Sequence, residues 1–216
     1  MAQKQENPGK FFADVMELAA QLGWRRTNLT DIAEATGETL ESLHKRFGSK
    51  QGILAGFSDH IDETVLHAGP AETDGDASAR DRLFEIIMRR FDAMRPYKEG
   101  LRQIAREGGG GDVVDLICGA QRLARSMAWM LEAAGIGTSG VVGTVRSKGL
   151  AAIYLSTLRT WLRDDSEDMS RTMAALDQHL ARAERFASMQ SPFGRRRYQP
   201  GPPPGADPDP RAASPA

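Results

Sequence analysis

Few residues in this chain could carry out covalent or metal chemistry, and they do not converge. Four histidines, His44, His60, His67 and His179, lack the spacing of zinc ligands. The single cysteine, Cys118, has no partner for a disulfide or thiolate cluster, and its apolar run from Val113 predicts a buried, inert thiol. Gly108 to Gly111 precede Asp112, but without a preceding strand or a following Lys-Ser or Lys-Thr pair they do not form a phosphate-cradling loop. The acid pairs Asp112/Asp115 and Asp164/Asp165 stand at helix boundaries, where carboxylates cap. The expectation is no enzyme, no metal and no cofactor. What remains is a group of cations, Lys45, Arg46 and Lys50, beside Thr39 and Ser42.

These cations need helices to position them. Phe12, Val15, Met16, Ala19 and Leu22 recur at helical spacing before Gly23. Asn28–Thr36 forms a short second helix with Thr27 as its expected N-cap and Asp31 near its positive end. Gly37 breaks it, Thr39 caps a third helix with an apolar face of Leu40, Leu43 and Phe47, and Gly48 ends that one. Ser49 caps a fourth helix carrying Ile53, Leu54, Phe57, Ile61 and Val65. Gly69 to Ala77 reads as a linker.

Beyond the linker every element reads as helical. One stripe contains Leu83, Ile86, Ile87, Phe91 and Met94 and stops at Pro96; a short helix follows from Tyr97 to Arg106, then a long one over 112–134. After a glycine-rich turn over 135–143 come two final helices, from about Val145 and about Glu167. From Ser191 the chain turns rich in Pro, Gly, Ala and Asp, with Arg195–Arg197 beside Tyr198, and reads as a disordered tail.

Composition agrees with an ordinary globular protein. The 216 residues are 26% charged and 40% hydrophobic, with a formal net charge of −1, and no apolar run is long enough to span a bilayer. The polar start, Met1–Lys10, lacks a secretion signal, so the expected place is the cytoplasm, without integral membrane association. Residues 1 to 60 hold seven Lys and Arg against eight Asp and Glu, so this part lacks the basic excess usual in nucleic-acid-binding modules.

Ile32-Ala33-Glu34-Ala35-Thr36-Gly37, then Thr39, Ser42-Leu43, Phe47, and Ser49-Lys50 before Ile53-Leu54, closely resembles the helix-turn-helix signature of the TetR family, over roughly residues 11 to 57. The resemblance implies an all-α, TetR-like fold, with a three-helix helix-turn-helix head at 1–68 and a larger ligand-binding and dimerisation body at 78–190, ahead of the tail at 191–216. It also implies a third helix in the major groove of a palindromic operator, with Thr27, Asn28, Thr39, Leu40, Glu41, Ser42, His44, Lys45, Arg46 and Lys50 as contacts. Lys50 would meet a phosphate at the start of the fourth helix. The chain departs from the family's usual residues at Glu38, Leu40, Glu41 and His44. Glu41 is open to two readings: complementing the helix dipole, or accepting from a cytosine amino group.

In the body, Tyr154, Leu158 and Trp161-Leu162-Arg163-Asp164-Asp165-Ser166, with Met169, Met173, Leu176 and Leu180, resemble the late helices of the COQ9 family over about 145–187. COQ9-like proteins share the TetR fold but bind isoprenoid lipids and assist a ubiquinone-biosynthesis hydroxylase. Their lipid work uses a terminal amphipathic helix, which is not expected from Phe193, Arg195–Arg197 and the Pro-rich stretch after them. Phe84, Phe91, Met94, Met127, Trp129, Met130, Tyr154 and Trp161 are each expected in the core or a dimer interface; together, Trp129 apart, they are candidates to line an apolar pocket for a small hydrophobic or lipid effector. The TetR resemblance further implies a homodimer through the last two helices.

Overall fold

The computed structural model describes residues 8–69, 77–108 and 113–189. The chain order is α1 (Pro8–Leu22), α2 (Leu29–Thr36), α3 (Leu40–Phe47), α4 (Lys50–His67), α5 (Ala79–Met94), a 3-10 turn (Arg95–Tyr97), α6 (Lys98–Arg106), α7 (Val113–Ala133), α8 (Gly140–Trp161) and α9 (Ser170–Met189). There is no strand among the described residues. The expected tail, nearly all of the expected linker and Gly109–Asp112 lie outside them.

α1 buries Phe11, Phe12, Val15, Met16 and Ala19, the face its spacing gives. Two partners close on that face. Phe47 of α3 stacks on Phe11 with ring centres 5.1 Å apart, and Phe57 of α4 meets Phe12 edge-on at 5.6 Å. α6 lies against the same helix so tightly that a Cβ on Gly100 would fall 2.4 Å from the carbonyl oxygen of Met16, a separation no side chain could hold. The edge of Tyr97 then meets Phe57 at 5.1 Å. Residues 8–69 and the later helices therefore share one continuous interior.

α5 runs through the middle of the later helices, touching α4, α7 and α9. Its buried face includes an arginine: Arg90 is 3% exposed. Such a cation needs partners on every side. Arg90 pairs with Asp62 of α4, donates to Ser58 Oγ at 3.2 Å and to Tyr154 OH of α8 at 3.2 Å, and Ser126 Oγ of α7 donates to the same Asp62 at 2.9 Å. Four helices thus meet at one guanidinium.

Several boundaries differ from the sequence reading. α8 begins at Gly140 rather than near Val145, because Gly143 N–H already bonds to Ser139 carbonyl at 3.2 Å and the glycines continue the helix. α9 begins at Ser170 rather than Glu167, since Met169 adopts φ 51° and closes a turn ahead of it. Cys118 is exposed, not buried: it stands on α7 next to Ile117, which is also half in solvent. No helix among the described residues is long and apolar enough to cross a membrane.

Candidate nucleic-acid interface

The unit most suited to a ligand outside the protein is the joint between α2 and α3. α2 is started by Asn28, not Thr27. Asn28 Oδ1 accepts from Thr30 N–H at 2.8 Å and Asp31 N–H at 3.0 Å, while Asp31 Oδ2 accepts from Asn28 N–H at 2.8 Å. This reciprocal cap satisfies the donors that open the helix. Thr27 is buried, and its hydroxyl donates back to Gly23 carbonyl at 2.8 Å.

Gly37 ends α2 at φ 72°, a conformation that costs other residues their Cβ clearance. The chain then turns to Thr39, whose hydroxyl accepts from Ser42 N–H at 3.1 Å and caps α3. Of α3, only Leu43 is fully buried. Thr39, Leu40, Glu41, His44 and Lys45 face solvent, and Leu40, placed by its spacing on the apolar face and also expected as a DNA contact, lies 49% exposed.

The charges around α3 are arranged differently from the sequence reading. Glu38 is almost fully covered: Oε1 accepts from Arg46 at 3.0 Å and Oε2 from Ser42 Oγ at 2.9 Å. The Arg46 guanidinium is held over the rings of Phe11 (4.9 Å) and Phe47 (4.8 Å). Arg46 and Ser42, expected as DNA contacts, are thus engaged by groups of the protein itself, and Glu38 presents no free charge to a partner. Glu41 pairs with Lys45 at 2.7 Å, both largely in solvent, so that pair is loose enough to be exchanged for another.

Lys50 is turned inward. Its ammonium donates to the carbonyl oxygens of Trp24 and, at 2.7 Å, Thr27, and lies 4.7 Å from the Trp24 ring centre. Burial lowers its pKa, against the raising pull of Glu107 and Asp31. It fastens the start of α4 to the turn before α2, instead of reaching outward as the phosphate contact expected from sequence.

Arg25 and Arg26 on that turn went unremarked in the sequence. Both are exposed, and neither guanidinium has an ion pair among the described residues. The turn is braced from the body: Arg25 N–H donates to Glu107 Oε2 at 2.6 Å, the chief cause of a Glu107 pKa below the ordinary carboxylate range. Two adjacent cations just before an N-cap were the available signal.

The seven residues read as effector-lining are brought together, but by close packing. Phe91 stacks on Tyr154 at 5.4 Å and on Trp161 at 5.7 Å, and Tyr154 OH donates to Met94 Sδ at 3.5 Å; Met127 and Met130 are buried in the same continuous core, and Phe84 packs half-buried against it. Two clefts, of about 440 Å³ between α4 and α7 and about 210 Å³ between α4, α5 and α7, lie elsewhere and touch none of the seven.

An all-helical chain opening with a capped α2–α3 joint on α1, closed by a helical body, has clear counterparts among solved structures. A TetR transcriptional regulator from Nitrosomonas europaea is similar at 27% identity and a TM-score of 0.65, covering 83% of this chain and 99% of that one. The fold is that of the TetR-family transcriptional regulators. A TetR-family structure from Syntrophomonas wolfei (16% identity, TM-score 0.57, 86% and 97% covered) and a TetR regulator from Rhodococcus sp. RHA1 (16%, 0.53, 84% and 99%) share it.

No curated protein matches the sequence at a significant level. The COQ9 family model matches residues 146–187, most of α8 and α9 in this TetR fold. The matched segment contains the joint between those helices. Trp161 is fully buried, and Asp164 accepts from Ser166 Oγ at 2.5 Å and from Thr172 N–H and Oγ1 at 2.8 and 2.7 Å, so it caps the start of α9. Burial alone would raise the Asp164 pKa; the bonds from Ser166 and Thr172 outweigh it and hold the carboxyl well below the usual range.

Proposed function

We propose that this chain is a homodimeric transcriptional regulator that reads DNA with the outer face of α3 and responds to an effector in its body. The observation that carries this is the α2–α3 joint itself: a helix capped at its start, anchored by the buried Leu43 and by Phe47 stacked on Phe11, with Thr39, Leu40, Glu41, His44 and Lys45 presented to solvent in a TetR fold. Base-edge contacts fall to those residues. Phosphate contacts fall to Arg25, Arg26 and Lys45, with Asn28 at the start of α2, while Thr27, Ser42, Arg46 and Lys50 hold the unit in shape. Residues 1–68 act as the head and 78–190 as the body.

A dimer face is supported by α8 and α9, which pack together and leave Val141, Val142, Val145, Leu155 and Phe186 exposed. Apolar side chains gathered on one pair of helices suit an isologous interface, which sets two α3 helices on successive turns of a palindromic site.

The test is fluorescence anisotropy with DNA from upstream of the gene and a scrambled control, at two salt concentrations. The expected result is selective binding that weakens with salt, and that falls in an Arg25→Ala/Arg26→Ala double variant. Equal affinity for both DNAs, or none at low salt, overturns the reading.

The COQ9 match over α8–α9 favours a second reading, a lipid-binding accessory protein that no longer reads DNA. Copurified isoprenoid lipid with no DNA binding would select it.

A further inference from the structure

Leu40 is the most exposed large apolar side chain among the described residues of 8–69, at 49%, and it stands where the fold has no need of a leucine. Leu22 and Leu66, the other exposed leucines of that stretch, fall where α1 and α4 run out. Leu40 instead opens α3. A hydrophobic staple at a helix start joins the residue before the cap to the fourth of the helix, and those are Glu38 and Leu43. The first helical position favours a proline or an acid.

The polar groups around it are already engaged. Thr39 Oγ1 accepts from Ser42 N–H, Ser42 Oγ donates to Glu38, and Arg46 pairs with Glu38 and lies over Phe11 and Phe47. Lys50 is turned inward, and Glu41 and Lys45, one turn apart, pair at 2.7 Å. The start of α3 thus offers a groove chiefly an isobutyl group, half covered and so held in place, with His44 one turn further on the same side.

We infer that Leu40 reads the 5-methyl group of one thymine in each half-site and so selects thymine against cytosine there. The inference rests on the regulator reading and names a base of its operator. Residues at the start of a recognition helix meet base edges in the major groove. An aliphatic side chain can neither donate nor accept, and the apolar group on those edges is the thymine C5 methyl. Burying that methyl against Leu40 is favourable. Seating Leu40 on a cytosine covers an amino donor with nothing to accept from it, a penalty that adds to the lost contact. The discrimination therefore has an attractive and a repulsive part. In a two-fold dimer the same residue acts twice, which puts the thymines at symmetric positions of the two half-sites.

The probe is a duplex enriched from a random library by the full chain, in which each thymine in turn is replaced by uracil in both half-sites. Uracil lacks the methyl and keeps every hydrogen-bonding group. At one thymine the affinity in anisotropy is expected to fall about fourfold per methyl and about fifteenfold for the symmetric pair. A cytosine put in that place should weaken binding further, and 5-methylcytosine should recover part of the loss. In Leu40→Ala the thymine and uracil duplexes should bind equally, with an unchanged salt slope, and Leu40→Val should give an intermediate ratio. Alanine is the better helix former, so Leu40→Ala should melt with the parent by circular dichroism. A leucine that merely shaped the head would lower both affinities together and leave their ratio standing. Sequence-selective binding in which no uracil replacement matters, no recovery with 5-methylcytosine, or a thymine-over-uracil ratio that does not fall along the series leucine, valine, alanine overturns the inference and leaves the regulator reading intact. A chain that enriches no sequence overturns both.

Discussion

The chain contains two helix–turn–helix joints built on opposite principles, α2–α3 and α8–α9. At the first, the caps are Asn28 and Thr39, both exposed, the turn is a glycine, and the second helix leaves most of its surface free. At the second, the cap is Asp164, 1% exposed, the preceding helix ends on the fully buried Trp161, and Lys98 and Arg102 of α6 donate to the carbonyls of Asp164 and Leu162. Both are turns between helices. One spends its hydrogen bonds at the surface and presents side chains; the other spends them in the interior and fixes the fold. The COQ9 match falls across the second kind, so the likeness there follows a structural corner.

The sharpest way to break that contrast is Asp164→Ala. It strands Thr172 N–H and hydroxyl in the interior and should cost about 3 kcal/mol in urea unfolding, with DNA binding of the remaining folded protein unchanged. Because the folded pKa lies below the ordinary 3.8, the stability Asp164 supplies is present above that value and lost as pH falls through the lower folded one. Asp164→Asn should therefore remove part of the loss of stability in acid.

Lys50→Met comes next. It leaves the carbonyls of Trp24 and Thr27 without their shared donor and should cost about 2 kcal/mol in thermal unfolding. Stability should fall even with no DNA present, which distinguishes a clamp from a phosphate contact. A smaller effect is expected at the surface. Lys45→Ala should leave stability within about 0.5 kcal/mol while lowering the slope of log affinity against log salt by about one unit. Smallest is Glu41→Gln, which frees Lys45 and should tighten binding a few-fold at low salt only.

The helices were legible because their punctuation is local. Gly23, Gly37, Gly48 and Pro96 stop helices where periodic apolar faces end, and the α3 cap at Thr39 needs only its neighbours. The fates of the cations were not legible. Lys50 finds acceptors 23 and 26 residues away, and Arg46 reaches Glu38 across the whole of α3 and lies on Phe11 from another helix. Spacing along the chain says nothing about such partners. Thr27 and Asn28 were both competent caps; Asp31, three residues after Asn28, was the signal that decides between them. Arg90 was hidden for the opposite reason, sitting in an apolar stripe beside Phe91 with its partners on two other helices, α4 and α8.

The Glu38–Arg46 bridge spans α3 from before its first turn to its last. A helix of eight residues is too short to persist in water by itself, and elsewhere such a segment would have to freeze as it docked. Here its ends are already tied, so in the proposed regulator docking asks little further ordering of it, and the entropic toll of recognition would fall mainly on the DNA and its counterions. Temperature should accordingly change the affinity less than salt does.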